Sequence, residues 1–89
     1  MRFTTLRPCG GKAYMAISSE PLDLDLKKAR KVMEADGYRI KELEEGMLLV
    51  TEKDCMEITL YPQGKVMFLP LNDRSECIRR STELLERLR

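Results

Sequence analysis

Few side chains in this sequence could do chemistry, and each stands without the companions that chemistry needs. The cysteines Cys9, Cys55 and Cys77 are odd in number, widely spaced and free of any C-x-x-C pair. That pattern argues against a zinc site or a disulfide framework and suits reduced thiols in a cytoplasmic chain. Cys9 could act as a nucleophile, but no neighbour in sequence would activate it. Glu44 and Glu45 are adjacent carboxylates before Gly46, at an expected turn open to water, which is poor ground for acid–base catalysis. There is no histidine, so the commonest general base and metal ligand is missing. "PCGGKA" (8–13) has the glycines of a phosphate cradle without the G-x-x-x-x-G-K-[ST] spacing, and reads as a turn. "KKARK" (27–31) is a basic run that reads as the solvated face of a helix. The expectation is therefore no catalytic residue, no cofactor, no metal and no small-molecule substrate.

The elements that could position an interaction surface are better marked. Eighty-nine residues suit a single domain spanning residues 1–89, with a small core and a thin stability margin. Hydrophobic residues make up 43% and charged residues 35%, the composition of a globular chain. With aromatic residues at 6% and no Trp, the core must be built from Leu, Ile, Val and Met. Net charge is +1, too weak to draw the whole molecule onto nucleic acid or an anionic membrane. The charge is uneven, however: +4 over residues 1–31, −5 over 32–62 and +2 over 63–89. No apolar run approaches the ~18 residues of a membrane span, and the start lacks the apolar stretch of a signal peptide.

Two helices are expected. "LDLDLKKARKVMEADG" (22–37) has Asp23 or Asp25 as cap, Leu26, Ala29, Val32 and Met33 on one face, and Gly37 as the stop. The second helix, at about 74–88, starts with Asp73 and Glu76 as a capping-box variant. It buries Cys77, Ile78, Ser81, Leu84, Leu85 and Leu88, with Glu76–Arg80 and Glu83–Arg87 as i, i+4 pairs outside. Strands are expected at 38–43, 47–53, 55–61 and 65–71, joined by hairpin-length connectors, and at 13–19. "FTTL" (3–6) either forms a hairpin with 13–19 or belongs to one interrupted strand. The fold class is α+β, in the order β-α-β-β-β-β-α, with one antiparallel sheet and two helices packed on one face.

The hairpin "ITLYPQGKVMFLPLND" (58–73) decides which face is which. Pro62-Gln63-Gly64 reads as a three-residue loop, with Gly64 in the left-handed position that closes it. That register pairs Tyr61 with Lys65, Leu60 with Val66, Thr59 with Met67, Ile58 with Phe68 and Glu57 with Leu69. Met56, Ile58, Leu60, Val66 and Phe68 then form a uniformly apolar face for the helices. Glu57, Thr59, Tyr61, Lys65, Met67 and Leu69 share the other face, which two helices cannot also cover. The strand 47–53 adds either Met47, Leu49 and Thr51 or Leu48 and Val50 to it. A half-apolar face of this kind marks a contact surface, so the six residues are the candidate interaction face, for a homodimer or a protein partner.

This order, with these signals, resembles one half-repeat of the TATA-box-binding-protein family, in its small stand-alone archaeal-type form. "LDLDLKKA" (22–29) is similar to the capped start of that family's first helix. "ITLYPQGKVMF" (58–68) is similar to its penultimate hairpin, and "NDRSECIRRSTELLERL" (72–88) to its last helix. The resemblance implies a saddle built from two halves, here a homodimer, whose concave sheet could meet the DNA minor groove. Lys65, Met67, Leu69, Thr59 and Tyr61 match the DNA-facing positions. Glu57 and the acidic middle segment disfavour phosphate contact, and Phe68 is expected on the core side rather than as a kinking wedge. The leading expectation is thus a non-enzymatic interaction module, with nucleic-acid binding through the same face as the alternative.

Overall fold

The computed structural model describes residues 2–8 and 11–89. The chain runs β1 (Phe3–Leu6), β2 (Tyr14–Ser18), α1 (Leu26–Ala35), β3 (Arg39–Glu44), β4 (Leu48–Lys53), β5 (Met56–Tyr61), β6 (Lys65–Leu69) and α2 (Arg74–Leu88). The strands form one six-stranded sheet in the order β1-β2-β6-β5-β4-β3, and every pair is antiparallel. Residues 3–6 form a hairpin with β2, in the register Phe3↔Ser18 to Leu6↔Met15.

Both helices lie on one face of this sheet. Leu26, Ala29 and Met33 from α1 and Cys77, Leu84, Leu85 and Leu88 from α2 share a core with Ala16, Leu49, Ile58, Leu60, Val66 and Phe68. These sheet residues occupy alternate positions on four neighbouring strands, so their side chains project to the same side. Thr51 is also buried there, and its hydroxyl donates to the Ile58 carbonyl at 3.2 Å. Ser81 Oγ is buried on α2 with no hydrogen-bond partner among the described residues. Burial pushes the nearby Cys77 thiol up, which keeps it protonated and inert.

Of the two expected caps, Asp23 and Asp25, the first helix uses the later one. Leu22 and Leu24 donate their N–H groups to the Gln63 and Pro62 carbonyls, at 3.4 and 3.0 Å. That pairing holds residues 22–25 out of the helix and lays the crossover against the 62–64 turn. Asp25 is the cap, accepting from Lys27 N at 2.9 Å and Lys28 N at 3.4 Å. The helix ends at Ala35. The Tyr38 N–H then reaches back to Met33 O and the Gly37 N–H to Glu34 O, both at 3.0 Å, with Gly37 at φ +89°. This is a Schellman closure, which needs a left-handed residue at Gly37.

The expected strands at 13–19 and 65–71 are each shorter, at 14–18 and 65–69. Pro70, which has no N–H to give a ladder, follows Leu69. On α2, Asp73 accepts from Glu76 N at 3.2 Å. The Glu76 carboxylate does not complete the capping box; it pairs with Arg79 and, at 2.9 Å, with Arg80. Those two guanidiniums hold its carboxyl below the usual range. The expected Glu83–Arg87 pair is replaced: Arg87 binds Asp36 at the end of α1, and Glu83 binds Arg79 at 2.8 Å. A carboxylate 51 residues away in sequence is invisible to a reading of helical spacing.

The β4–β5 turn places Asp54 at φ +51° and Cys55 at φ +65°. Two successive left-handed residues match the twist of a two-residue hairpin, and glycine is the natural occupant of the second position. A side chain there costs about 1–2 kcal/mol, partly offset by the greater unfolded-state freedom of glycine. Cys55→Gly is therefore expected to stabilise the protein by about 0.5–1 kcal/mol, read as a rise of a few degrees in a thermal melt. A fall in melting temperature would show that the Cys55 side chain contributes contacts that outweigh the strain.

Candidate functional site

The register of β5 on β6 is Glu57↔Leu69, Ile58↔Phe68, Thr59↔Met67, Leu60↔Val66 and Tyr61↔Lys65. It follows from a three-residue loop in which Gly64 N–H donates to Tyr61 O at 3.0 Å and Gly64 sits at φ +100°. Glu57, Thr59, Tyr61, Lys65, Met67 and Leu69 therefore share the face turned away from both helices, brought together on the two central strands. Phe68 is 1% exposed on the opposite side.

The other strands extend this face. Val50 lies opposite Thr59, which places Leu48, Val50 and Glu52 of β4 on it. Met47 falls in the preceding turn and Leu49 in the core. Met15 pairs with Met67 and Ile17 with Lys65, while Leu6 pairs with Met15 and Thr4 with Ile17. At the far side Glu42 pairs with Val50 and Glu44 with Leu48. One row, read straight across all six strands, is then Leu6, Met15, Met67, Thr59, Val50 and Glu42. Apart from Thr59 and the terminal Glu42, this band is apolar, and no layer of the described residues covers it. Thr59 is only 5% exposed, set on a central strand between the side chains of Met67 and Val50. Leu6 and Leu69 are 44% and 38% exposed.

Charges border the band unevenly. On the β3–β4–β5 side, Arg39 pairs with Glu52 and Lys41 bridges Glu57 at 2.9 Å and Glu52 at 3.7 Å. These carboxylates raise the Lys41 pKa above its ordinary value, the Glu57 hydrogen bond first. Lys41 reaches this face because the register shifts between Ile40 and Glu42, a bulge that also bends the edge strand. With Glu42 and Glu44, this half holds four carboxylates against two cations. On the β6–β2–β1 half the face carries, among the described residues, Lys65, whose ammonium sits 4.4 Å from the Tyr61 ring centroid, and no carboxylate.

The remaining sequence candidates fall elsewhere. Cys9 and Gly10 lie outside the described residues. In the 27–31 run, Lys27 pairs with Glu45 at 3.0 Å and Arg30 with Glu34 at 3.3 Å. Glu44 and Glu45 part company: the first belongs to the open face and the second turns to α1. Among the described residues, no three His, Cys, Asp or Glu side chains gather as a metal site. Among the described residues, no helix is long and apolar enough to cross a membrane.

Sequence reasoning missed a cleft of about 390 Å³ between the two helices. Ile58 and Phe68 floor it, Met33, Tyr38 and Leu84 wall it, and Asp36, Arg80, Glu83 and Arg87 rim it. Its lining comes from four elements and the connection after α1, so no local spacing announces it. The rim charges already have partners in Asp36–Arg87, Arg80–Glu76 and Glu83–Arg79. The Arg87 guanidinium holds the Asp36 carboxyl below its ordinary value.

No protein-family model matches the chain, no curated protein matches its sequence, and no solved structure matches its fold.

Proposed function

We propose that this protein is a non-enzymatic interaction module that self-associates through the helix-free face of its sheet. The observation that carries the reading is the uncovered apolar row from Leu6 through Met15, Met67 and Thr59 to Val50. Contiguous apolar surface of that kind is stabilised by contact with another polypeptide. Size is consistent with a pair of copies. The two longer dimensions, 29 and 28 Å, bound the sheet face at about 800 Å². Two such faces in contact would hide up to about 1,600 Å², the standard area of a specific interface.

The likeness to a half-repeat of the TATA-box-binding-protein family is part of this reading. In its support, the succession from β2 onward is β-α-β-β-β-β-α, with β1 added at the edge. Nucleic-acid binding through the same face is the alternative. Glu42, Glu44, Glu52 and Glu57 oppose it, because each would approach phosphate.

Sedimentation equilibrium across micromolar concentrations should give a mass near twice 10.3 kDa. A single species at the monomer mass throughout would contradict self-association. If the alternative is right instead, duplex DNA binds at low salt and its affinity falls steeply as salt rises.

A further inference from the structure

The open face is polarised across the strands, and that polarity selects one way of pairing two copies. We infer that the protein forms a sheet-on-sheet homodimer about a two-fold axis parallel to the strands, so that the β1–β2–β6 half of each copy covers the β3–β4–β5 half of the other. The inference rests on the self-association proposed above and adds to it the mode of contact.

Two face-to-face arrangements keep the strands of both sheets aligned, as packed sheets prefer. An axis across the strands lays β1 on β1 and β3 on β3. An axis along the strands lays β1 on β3. The sheet order puts the centre of the face between β6 and β5, so in the second arrangement β6 meets β5, and β2 meets β4.

Charge separates the two. The half built from β3, β4 and β5 carries Glu42, Glu44, Glu52 and Glu57 against Arg39 and Lys41, a net of −2. The opposite half carries Lys65 on its face. Arg2, which bonds Ser19 through its carbonyl at 3.0 Å, extends the β1–β2 pairing by one step and falls on the same side by alternation. No carboxylate accompanies them. The axis across the strands stacks two acidic halves and brings Glu42 against its own copy. Like charges brought together and desolvated oppose association. The axis along the strands sets each acidic half against a basic one, twice per dimer.

Apolar complementarity agrees. With the axis along the strands, rows keep their level. Met15 faces Val50 of the second copy, Ile17 faces Leu48, and Lys65 faces Tyr61. Thr4 lies over Glu44 and Leu6 over Glu42 at the rim, and Leu69 lies over Glu57, so the apolar match is made by the β2–β4 pair. Every large apolar side chain on β2 thus meets an apolar residue on β4. The contact is isologous and closes at two copies. Covering the face also explains why the fold can leave a row of methionine, leucine and valine without a protein layer of its own.

Chemical cross-linking distinguishes the arrangements. In a Cys9→Ser, Cys55→Ser background, Thr4→Cys and Glu44→Cys are made as separate full-length proteins. Each is treated with a short bis-maleimide, alone and as an equal mixture. Both positions are exposed rim residues on opposite edge strands. The inferred dimer predicts cross-linked product at least about tenfold more abundant in the mixture than in either protein alone. Cross-linking of Thr4→Cys by itself, at the level of the mixture, overturns the inferred axis while leaving self-association standing. The same holds if the wild-type protein sediments as a dimer, Met67→Glu dissociates it, and no combination cross-links. A wild-type protein that sediments as a monomer overturns the underlying reading together with the inference.

Discussion

Phe68→Glu should unfold the protein, while Met67→Glu and Leu69→Glu, its immediate neighbours, should leave the monomer folded. Phe68 is 1% exposed and packs among Ile58, Val66 and residues of both helices. Truncating a buried Phe costs about 3–5 kcal/mol, and a carboxylate in its place adds the cost of an unpaired charge in an apolar site. A domain of this size holds on the order of 5–10 kcal/mol in total. Met67 and Leu69 point the other way, into a face with no layer above it, so a carboxylate there keeps its water. The prediction is a lost cooperative melt for Phe68→Glu and shifts within about 1 kcal/mol for the other two, read by circular dichroism at concentrations where the chain is monomeric. If Met67→Glu melts as readily as Phe68→Glu, the face assignment is wrong.

The second large effect is expected at Gly64. Its φ of +100° is a conformation that residues with a Cβ rarely adopt, and an added Cβ would stand 2.9 Å from Leu22 Cδ1 and 3.1 Å from Ser18 Cβ. Leu22 Cδ1 is the end of a side chain and can turn, but Ser18 Cβ at 3.1 Å and Leu22 Cγ at 3.3 Å stand next to backbone that is bonded to Gly64 O and Gln63 O. Strain of about 1–2 kcal/mol and overpacking of about 1–3 kcal/mol then add. Gly64→Ala is expected to lower the melting temperature by at least about 10 °C. Gly46 offers the control, since it also has positive φ, at +74°, but nothing lies within 4 Å of an added Cβ. Gly46→Ala should carry the strain alone and cost about 1–2 kcal/mol. Equal losses at the two sites would mean that the crossover does not press on the turn.

Both effects trace to residues whose importance shows in the sequence to different degrees. The register of β5 on β6 was legible because Pro62-Gln63-Gly64 admits few loops, and only one of them separates apolar from mixed faces. The capped start of α2 was legible for a similar reason, since Asp73 precedes a run with helical spacing. The start of α1 was legible only as a choice between Asp23 and Asp25, because the later cap depends on residues 22 and 24 bonding to carbonyls some 40 residues away. The candidate face itself was half legible. Its two central strands follow from one hairpin, but the apolar row becomes continuous only when Met15 is set beside Met67 and Val50 beside Thr59. Those neighbours are fixed by tertiary pairing, which places β2 against β6 across about 50 residues of chain. The charge polarity follows the same logic. The acidic middle segment was visible as composition, yet its placement along one side of the face requires the strand order β1-β2-β6-β5-β4-β3.

The central claim is that the open face is covered by a second copy, and methionine oxidation tests it at the residues concerned. Met15 and Met67 sit side by side on that face, while Met47 is 61% exposed in the β3–β4 turn, away from the apolar row. Dilute peroxide converts exposed thioethers to sulfoxides, and mass spectrometry reads each site separately. Raising the protein from sub-micromolar to hundreds of micromolar should slow oxidation of Met15 and Met67 severalfold relative to Met47. Rates at Met15 and Met67 that keep a constant ratio to Met47 across that range would contradict it.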